Sequence, residues 1–190
     1  MVAFQISQNP SLQTELADEA KAALPDSEDF PWNPDVLPQQ LPLLDRTFFE
    51  TNRKHPAAAL GSSRSVGKTA LVVGDGIELP GSSVCLMPPW TLHRNEKYWP
   101  DPETFDPSRF ETIVQDPYVY QPFSGGPRNC IGIRLARAET LSLFAPLLRR
   151  YEIHCDSSRE PQDFFSLTRR PRNKVMFRLT PRADYQPLKS

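Results

Sequence analysis

Apolar positions recur at helical spacing in three stretches of the chain. Across residues 9–24, Leu12, Leu16, Ala20, Ala23 and Leu24 share one face, while Glu15, Asp18, Glu19 and Lys21 lie elsewhere. Asn9 offers a side-chain cap, and Pro10 takes the first helical position, where its missing N–H is not needed. A second helix is predicted over 42–54, with Leu44, Phe48 and Phe49 on its apolar side and Pro56 as its stop. A third is predicted over 132–150, where Ile133, Ala136, Leu141, Phe144, Leu148 and Tyr151 follow helical spacing. Pro146 inside it is expected to kink it or to open its last turns.

Short apolar runs mark a small β region over 70–87. Ala70–Val73, Ile77–Leu79 and Val84–Met87 are separated by turn signals at 74–76 and at Pro80-Gly81. Val175–Leu179 reads as a final strand. Residues 25–38 carry four prolines and form an irregular linker. Residues 88–122 carry Pro88, Pro89, Pro100, Pro102, Pro107, Pro117 and Pro122, which predicts a long coil. Ordered coils of this length are usually functional or belong to a larger assembly. The fold class is therefore mainly α with small β-sheets.

Composition narrows the function more than the fold. Lys and Arg total 22 and Asp and Glu 23, a net charge of 22 − 23 = −1. A balance so close to zero lacks the electrostatic footprint of a nucleic-acid binder. Three cysteines in 190 residues exclude a disulfide scaffold. No apolar run reaches the roughly 20 residues of a membrane span, and Met1–Pro10 lacks the basic-then-apolar order of a signal peptide.

The strongest chemical signal is FSGGPRNCIG at 123–132. Gly125, Gly126 and Pro127 form a tight turn ahead of Cys130, which is read as entering the start of the third helix. A helix N-terminus presents unpaired N–H groups and a positive dipole end, and Arg128 adds a cation. Together they favour a thiolate at Cys130. Gly132 leaves room beside the sulfur for a large flat group. An isolated cysteine is more often a small buried apolar residue, and Cys85 and Cys155, in strand-like segments, are read that way. His93, Cys130, His154 and Cys155 do not show the spacing of a zinc site.

This decapeptide resembles the haem-binding signature of the cytochromes P-450, Phe-x-x-Gly-x-Arg-x-Cys-x-Gly. All its fixed positions match, at Phe123, Gly126, Arg128, Cys130 and Gly132. Two further motifs agree in order. ETNRKHP resembles the family's Glu-x-x-Arg element, with Glu50 and Arg53 three apart on one helix face. FDPSRF resembles its Pro-x-Arg-Phe element and supplies Arg109. WTLHRNEKYWPDPETFDPSRF and LARAE look like the family's helix-to-coil segment and the start of its proximal helix.

The resemblance implies haem b with Cys130 as the axial thiolate ligand of the iron. Phe123 would pack near the sulfur, and Arg128 would bond a haem propionate. Arg64 lies where many members place a second propionate-binding arginine. Glu50, Arg53 and Arg109 would form a structural network that locks the coil onto the helix. His93 is read as a packed coil histidine, and Ala57–Gly61 as the main candidate for contact with substrate. The resemblance covers the C-terminal part of the family fold. It lacks the N-terminal half and the distal helix whose acid–alcohol pair serves oxygen activation, so no catalytic residue is assigned; residues 1–8 are at most the end of that helix.

The implied activity is a haem-thiolate monooxygenase acting on a small organic substrate, with electrons from an NADPH-dependent cytochrome P-450 reductase. Arg128, Arg134 and Arg137 could form a basic face for that partner, or could be solvated helix charges. The alternatives are a haem-thiolate isomerase or dehydratase needing no external electrons, and a non-catalytic fragment. Weak haem binding by the isolated chain is expected. The motif style resembles eukaryotic members in the fungal manner, which are usually tethered to the endoplasmic reticulum membrane on its cytosolic face.

Overall fold

The computed structural model describes residues 1–24, 33–112, 116, 118–156, 161–165 and 168–185. Most of the predicted linker over 25–38 lies outside the described residues.

Helix α1 (Val2–Ser7) leads into α2 (Pro10–Ala23). The Asn9 side chain accepts the Leu12 amide at 3.2 Å and so caps α2. Leu12, Leu16 and Ala20 are buried on its inner face. Leu24 is already extended, as expected of a residue before proline. A short α3 (Leu37–Gln40) precedes α4 (Pro42–Lys54), whose inner face buries Leu44, Phe48 and Phe49.

No side chain of its own segment caps α4. The Glu19 carboxylate of α2 does so instead, accepting the Leu43 amide at 2.6 Å and the Leu44 amide at 2.9 Å. A carboxylate at a helix N-terminus meets both the orphan donors and the positive dipole end. Burial nevertheless pushes the Glu19 pKa upward.

Helix α7 (Ile133–Arg150) runs unbroken through Pro146, and its last turns stay closed. The Tyr151 amide donates to the Leu147 carbonyl and ties off the end. Burial of Leu141, Ala145 and Leu148 against α2 and α4 offsets the hydrogen bond that proline removes. The helix starts at Ile133, so Cys130 stands two residues before the Gly132 cap rather than inside the first turn. Tyr151, which fits the helical stripe, is the first residue of β5 (Tyr151–Cys155).

The sheets are small, antiparallel and two-stranded among the described residues. β1 (Ser62–Ser65) pairs with β4 (Val84–Met87) in the register Ser62↔Met87. β2 (Leu71–Val73) pairs with β3 (Ile77–Leu79), β5 with β8 (Phe177–Pro181), and β6 (Asp163–Phe165) with β7 (Arg169–Pro171). β1 has no apolar residue and so gave no sequence signal; its backbone pairing with β4 makes it a strand. The final strand starts two residues later than predicted and runs on to Pro181. The proline-rich coil contains two single-turn helices, α5 (Pro89–Leu92) and α6 (Arg109–Thr112).

One apolar core joins α1, α2, α3, α4, α7 and β5, centred on Ile6, Leu16, Leu41, Leu44, Leu141, Leu148 and Ile153. A second, aromatic core sits where α4 meets the coil: Phe48, Phe49, Trp99 and Tyr120, with Phe110 and Phe123 against it. The two cores share α4, which carries order from the helices to the coil. Replacing Glu19 by alanine uncaps α4 without opening either core. It should cost about 1–2 kcal/mol of stability, measured as a lower urea midpoint with an unchanged m-value.

Candidate functional site

The site begins with α4. Glu50 and Arg53, one turn apart, are both fully buried. The guanidinium forks onto the carboxylate, with Nε to Oε2 at 2.6 Å and Nη2 to Oε1 at 2.8 Å. Its remaining donors leave the helix: Nη1 reaches the His93 carbonyl at 2.9 Å and Nη2 the Thr104 carbonyl at 3.1 Å. Glu50 Oε1 also accepts the Asp106 amide at 2.9 Å. Arg109 arrives from α6 with its Nε 3.7 Å from Glu50 Oε1, an ion pair rather than a hydrogen bond. Its Nη1 and Nη2 donate to the Pro100 and Asp101 carbonyls at 2.6 and 2.9 Å. The structure thus brings Glu50, Arg53 and Arg109 together and joins them to the coil through backbone carbonyls.

His93 is fully buried in the same layer. Its ring lies against Tyr120, with centroids 5.3 Å apart. Nδ1 is 3.0 Å from the Arg53 carbonyl, and Nε2 accepts the Gln121 amide at 2.9 Å. Burial lowers its pKa from the usual 6.5 to about 4, helped by the Arg53 and Arg94 charges and opposed by the bond to the Arg53 backbone. His55, just past α4, is lowered to about 2 by burial and then by Arg169, whose Nη1 lies 2.8 Å from its Nδ1.

The cysteine loop leaves this layer at Gln121. Ser124 and Gly126 take positive φ values of 65° and 71°. Gly126 can adopt this at no steric cost. A 3-10 turn over Gly126–Arg128 follows, and the Cys130 amide donates to the Phe123 carbonyl at 2.8 Å, closing the loop. Phe123 stacks on Phe48 with centroids 6.0 Å apart, so the loop is seated on α4. Cys130 itself is exposed. A Cβ added at Gly132 would lie 3.8 Å from Cys130 Sγ, an ordinary contact. Inside the chain, therefore, nothing forbids a side chain there.

A cavity of about 490 Å³ opens beside the loop. Cys130, Arg128 and Phe123 line it from one side and Arg64 of β1 from another. Ala57, Ala58 and Gly61, from the segment singled out for substrate contact, line the same cavity. Gly61 is demanded by the backbone: φ is 67°, and a Cβ would fall 1.9 Å from the Met87 carbonyl oxygen. Asn52 and Met87 also face the cavity, and no motif marked them. Asn52 lies inside the ETNR segment, so its place on α4 beside Arg53 was the available signal.

The proposed basic face is largely spoken for. Arg134 pairs with Asp35, and Arg137 forks onto Asp45 with both contacts at 2.5 Å. Cys85 lies in β4 and Cys155 in β5. Among the described residues no cluster of three His, Cys, Asp or Glu side chains could hold a metal ion. No described helix is long and apolar enough to cross a membrane.

An exposed thiol on a loop seated on a Glu-x-x-Arg helix, beside a cavity lined by two arginines, is the arrangement of one recognisable class of protein. The family model named Cytochrome P450 matches residues 1–178. The chain is 32% identical over 188 residues to "Cytochrome P450 3A56" of Fundulus heteroclitus, covering 96% of this chain and 36% of that protein. It is 41% identical over 136 residues to "Cytochrome P450 3A13" of Mus musculus, covering 70% and 26%. It is 31% identical over 187 residues to "Lithocholate 6-beta-hydroxylase" of Mesocricetus auratus, covering 96% and 36%. The chain belongs to the cytochrome P450 family, and it spans about a third of the length of these curated relatives. All three are animal proteins. Membership makes the chain part of an oxidoreductase family that uses a cysteine-ligated haem.

Two outcomes follow from this geometry. Glu50→Ala or Arg53→Ala leaves a buried charge unpaired and should cost about 3–5 kcal/mol, measured by denaturant unfolding. Arg53→Lys keeps the charge, loses the fork, and should fall between. Secondly, the unfolded chain binds protons at His93 and His55 before the folded chain does. Stability should therefore fall as pH drops from 6.5 towards about 4, where His93 titrates in the fold. His93→Phe should flatten part of that slope in unfolding midpoints measured across the window.

Proposed function

We propose that the chain carries the haem-thiolate site of a monooxygenase that inserts one oxygen atom from dioxygen into a small organic substrate. The observation that carries this reading is the shared cavity, lined by one thiol, two guanidiniums and the apolar side chains of Phe123, Met87 and Pro89. That donor set fits a flat group with a metal at its centre and two carboxylates at its edge. Haem b is such a group, and it supplies the oxygen chemistry when bound.

Cys130 is the residue that would hold the iron through its sulfur. Its backbone amide is committed to Phe123, which leaves the sulfur as the loop's free end. Arg128 and Arg64, both on the cavity wall, would hold the two propionates by charge-assisted hydrogen bonds. Phe123, stacked on Phe48, seats the loop on α4. Gly126 provides the turn, and Gly132 lets the group approach the backbone. Glu50, Arg53 and Arg109 touch neither haem nor substrate; they keep the loop and coil in register. Ala57–Gly61 presents a small, apolar surface to the substrate. An NADPH-dependent cytochrome P-450 reductase is the electron donor. The hydroxylase name of the hamster relative is in keeping with oxygen insertion.

The test is a haem titration of the 190-residue chain, followed by the spectrum of the reduced protein with carbon monoxide. The expected result is weak haem binding with the red-shifted band of a thiolate-ligated carbonyl complex, absent in Cys130→Ala. Arg64→Ala and Arg128→Ala should each weaken haem binding about tenfold, as loss of a charge-assisted bond implies. A band unchanged in Cys130→Ala overturns the reading.

A further inference from the structure

His93 and Arg53 grip one another twice. The Arg53 guanidinium donates to the His93 carbonyl at 2.9 Å, and His93 Nδ1 faces the Arg53 carbonyl at 3.0 Å. The Arg53 carbonyl sits in the last turn of α4, where carbonyls have no partner within the helix. The second ring nitrogen, Nε2, faces the Gln121 amide at 2.9 Å. An amide N–H can only donate, so Nε2 carries no proton. The proton must sit on Nδ1, where it is donated to Arg53. One neutral tautomer satisfies both bonds, and neither the other tautomer nor the imidazolium does.

Gln121 is the point at which the chain enters the cysteine loop. Pro122 is buried, Phe123 stacks on Phe48, and the Phe123 carbonyl accepts the Cys130 amide. Tyr120, on the other side, stacks on His93 and donates its hydroxyl to the Phe49 carbonyl at 2.8 Å. Tyr120 and Phe123 thus contact α4 directly, and the tie at the loop's entry, at Gln121, passes through the His93 ring.

We propose that His93, as the Nδ1–H tautomer, is a positioning residue that fixes the entry of the cysteine loop to α4 and thereby sets how Cys130 faces the cavity. That Cys130 is positioned for iron rests on the haem-thiolate reading; the tie between α4 and Gln121 does not. His93 touches neither the cavity nor the sulfur, and it acts through Gln121 and Phe123. The His93 ring also packs edge-on to Trp99, 6.1 Å between centroids, so packing alone is the rival explanation.

The variant that separates the two is His93→Phe, which keeps an aromatic ring against Tyr120 and Trp99 and removes both hydrogen bonds. Nitrogen chemical shifts of the unmodified chain should show Nδ1 protonated and Nε2 bare. Hydrogen exchange at the Gln121 amide should accelerate about tenfold or more in His93→Phe, the loss of one buried bond, while amides of α2 and α7 keep their protection. His93→Gln, which can still accept from Gln121, should restore part of it. With haem supplied, His93→Phe should also shift the reduced carbon monoxide spectrum from the thiolate band towards the band of a lost thiolate.

An Nε2–H tautomer, or a Gln121 amide equally protected in His93→Phe, overturns the proposal. If His93→Phe fails to fold, the tautomer in the unmodified chain and the Gln121 exchange in His93→Gln decide. If the unmodified chain takes up no haem, the haem reading is what fails, and Gln121 exchange still decides the role of His93.

Discussion

The fully buried fork between Arg53 and Glu50 is the interaction from which the rest of this structure hangs. A guanidinium and a carboxylate removed from water are costly unless every donor and lone pair finds a partner. Helix α4 can satisfy only part of that demand. The remaining donors and lone pairs recruit carbonyls and amides from the coil at His93, Thr104 and Asp106, and the charge of Arg109. A segment rich in proline has few amides with which to build regular structure. Here the buried ions supply the order that secondary structure does not.

The aromatic core completes the same joint. Trp99 lies under the Arg53 guanidinium, 5.5 Å from ring to carbon, and Tyr120 packs against His93. These rings keep water from the ion pair and join the coil to Phe48 and Phe49 of α4. The cysteine loop then needs little of its own. It is a turn with two positive-φ residues, one closing hydrogen bond and one stacked phenylalanine. Its orientation comes from the layer beneath it, as expected of a functional loop on a rigid scaffold.

Electrostatics on the outer side of the loop took a different form from the one the arginine pattern invites. Arg134 and Arg137 sit one turn apart on α7 and read as a basic stripe. In the fold Arg134 meets Asp35, from the segment before α3, and Arg137 meets Asp45 of α4. Arg137 also lies over the Phe49 ring at 5.0 Å. The Arg137–Asp45 fork holds α7 against α4 and thus helps to place the helix end that follows Cys130, whereas the exposed Arg134–Asp35 pair adds little. Only a carboxylate far away in sequence could reveal this.

Local order was legible in the chain. The α2 stripe and its Asn9 cap, the stop of α4 before Pro56, and the turn at Gly126 all follow from neighbours a few residues apart. So does the placing of Glu50 and Arg53 on one face, because i, i+3 geometry needs no tertiary contact. What the sequence could not determine depends on partners 20 or more residues away. Strand β1 exists because β4 pairs with it; helix α7 survives Pro146 because α2 and α4 bury its apolar side. Glu19 caps a helix in which it does not lie, and the tautomer of His93 is chosen jointly by Arg53 and Gln121. Arg64 comes to face the cavity it shares with Cys130 through the β1–β4 pairing. Short-range periodicity determined the pieces of this protein. Long-range hydrogen bonds, made obligatory by burial, decided how those pieces surround the cysteine.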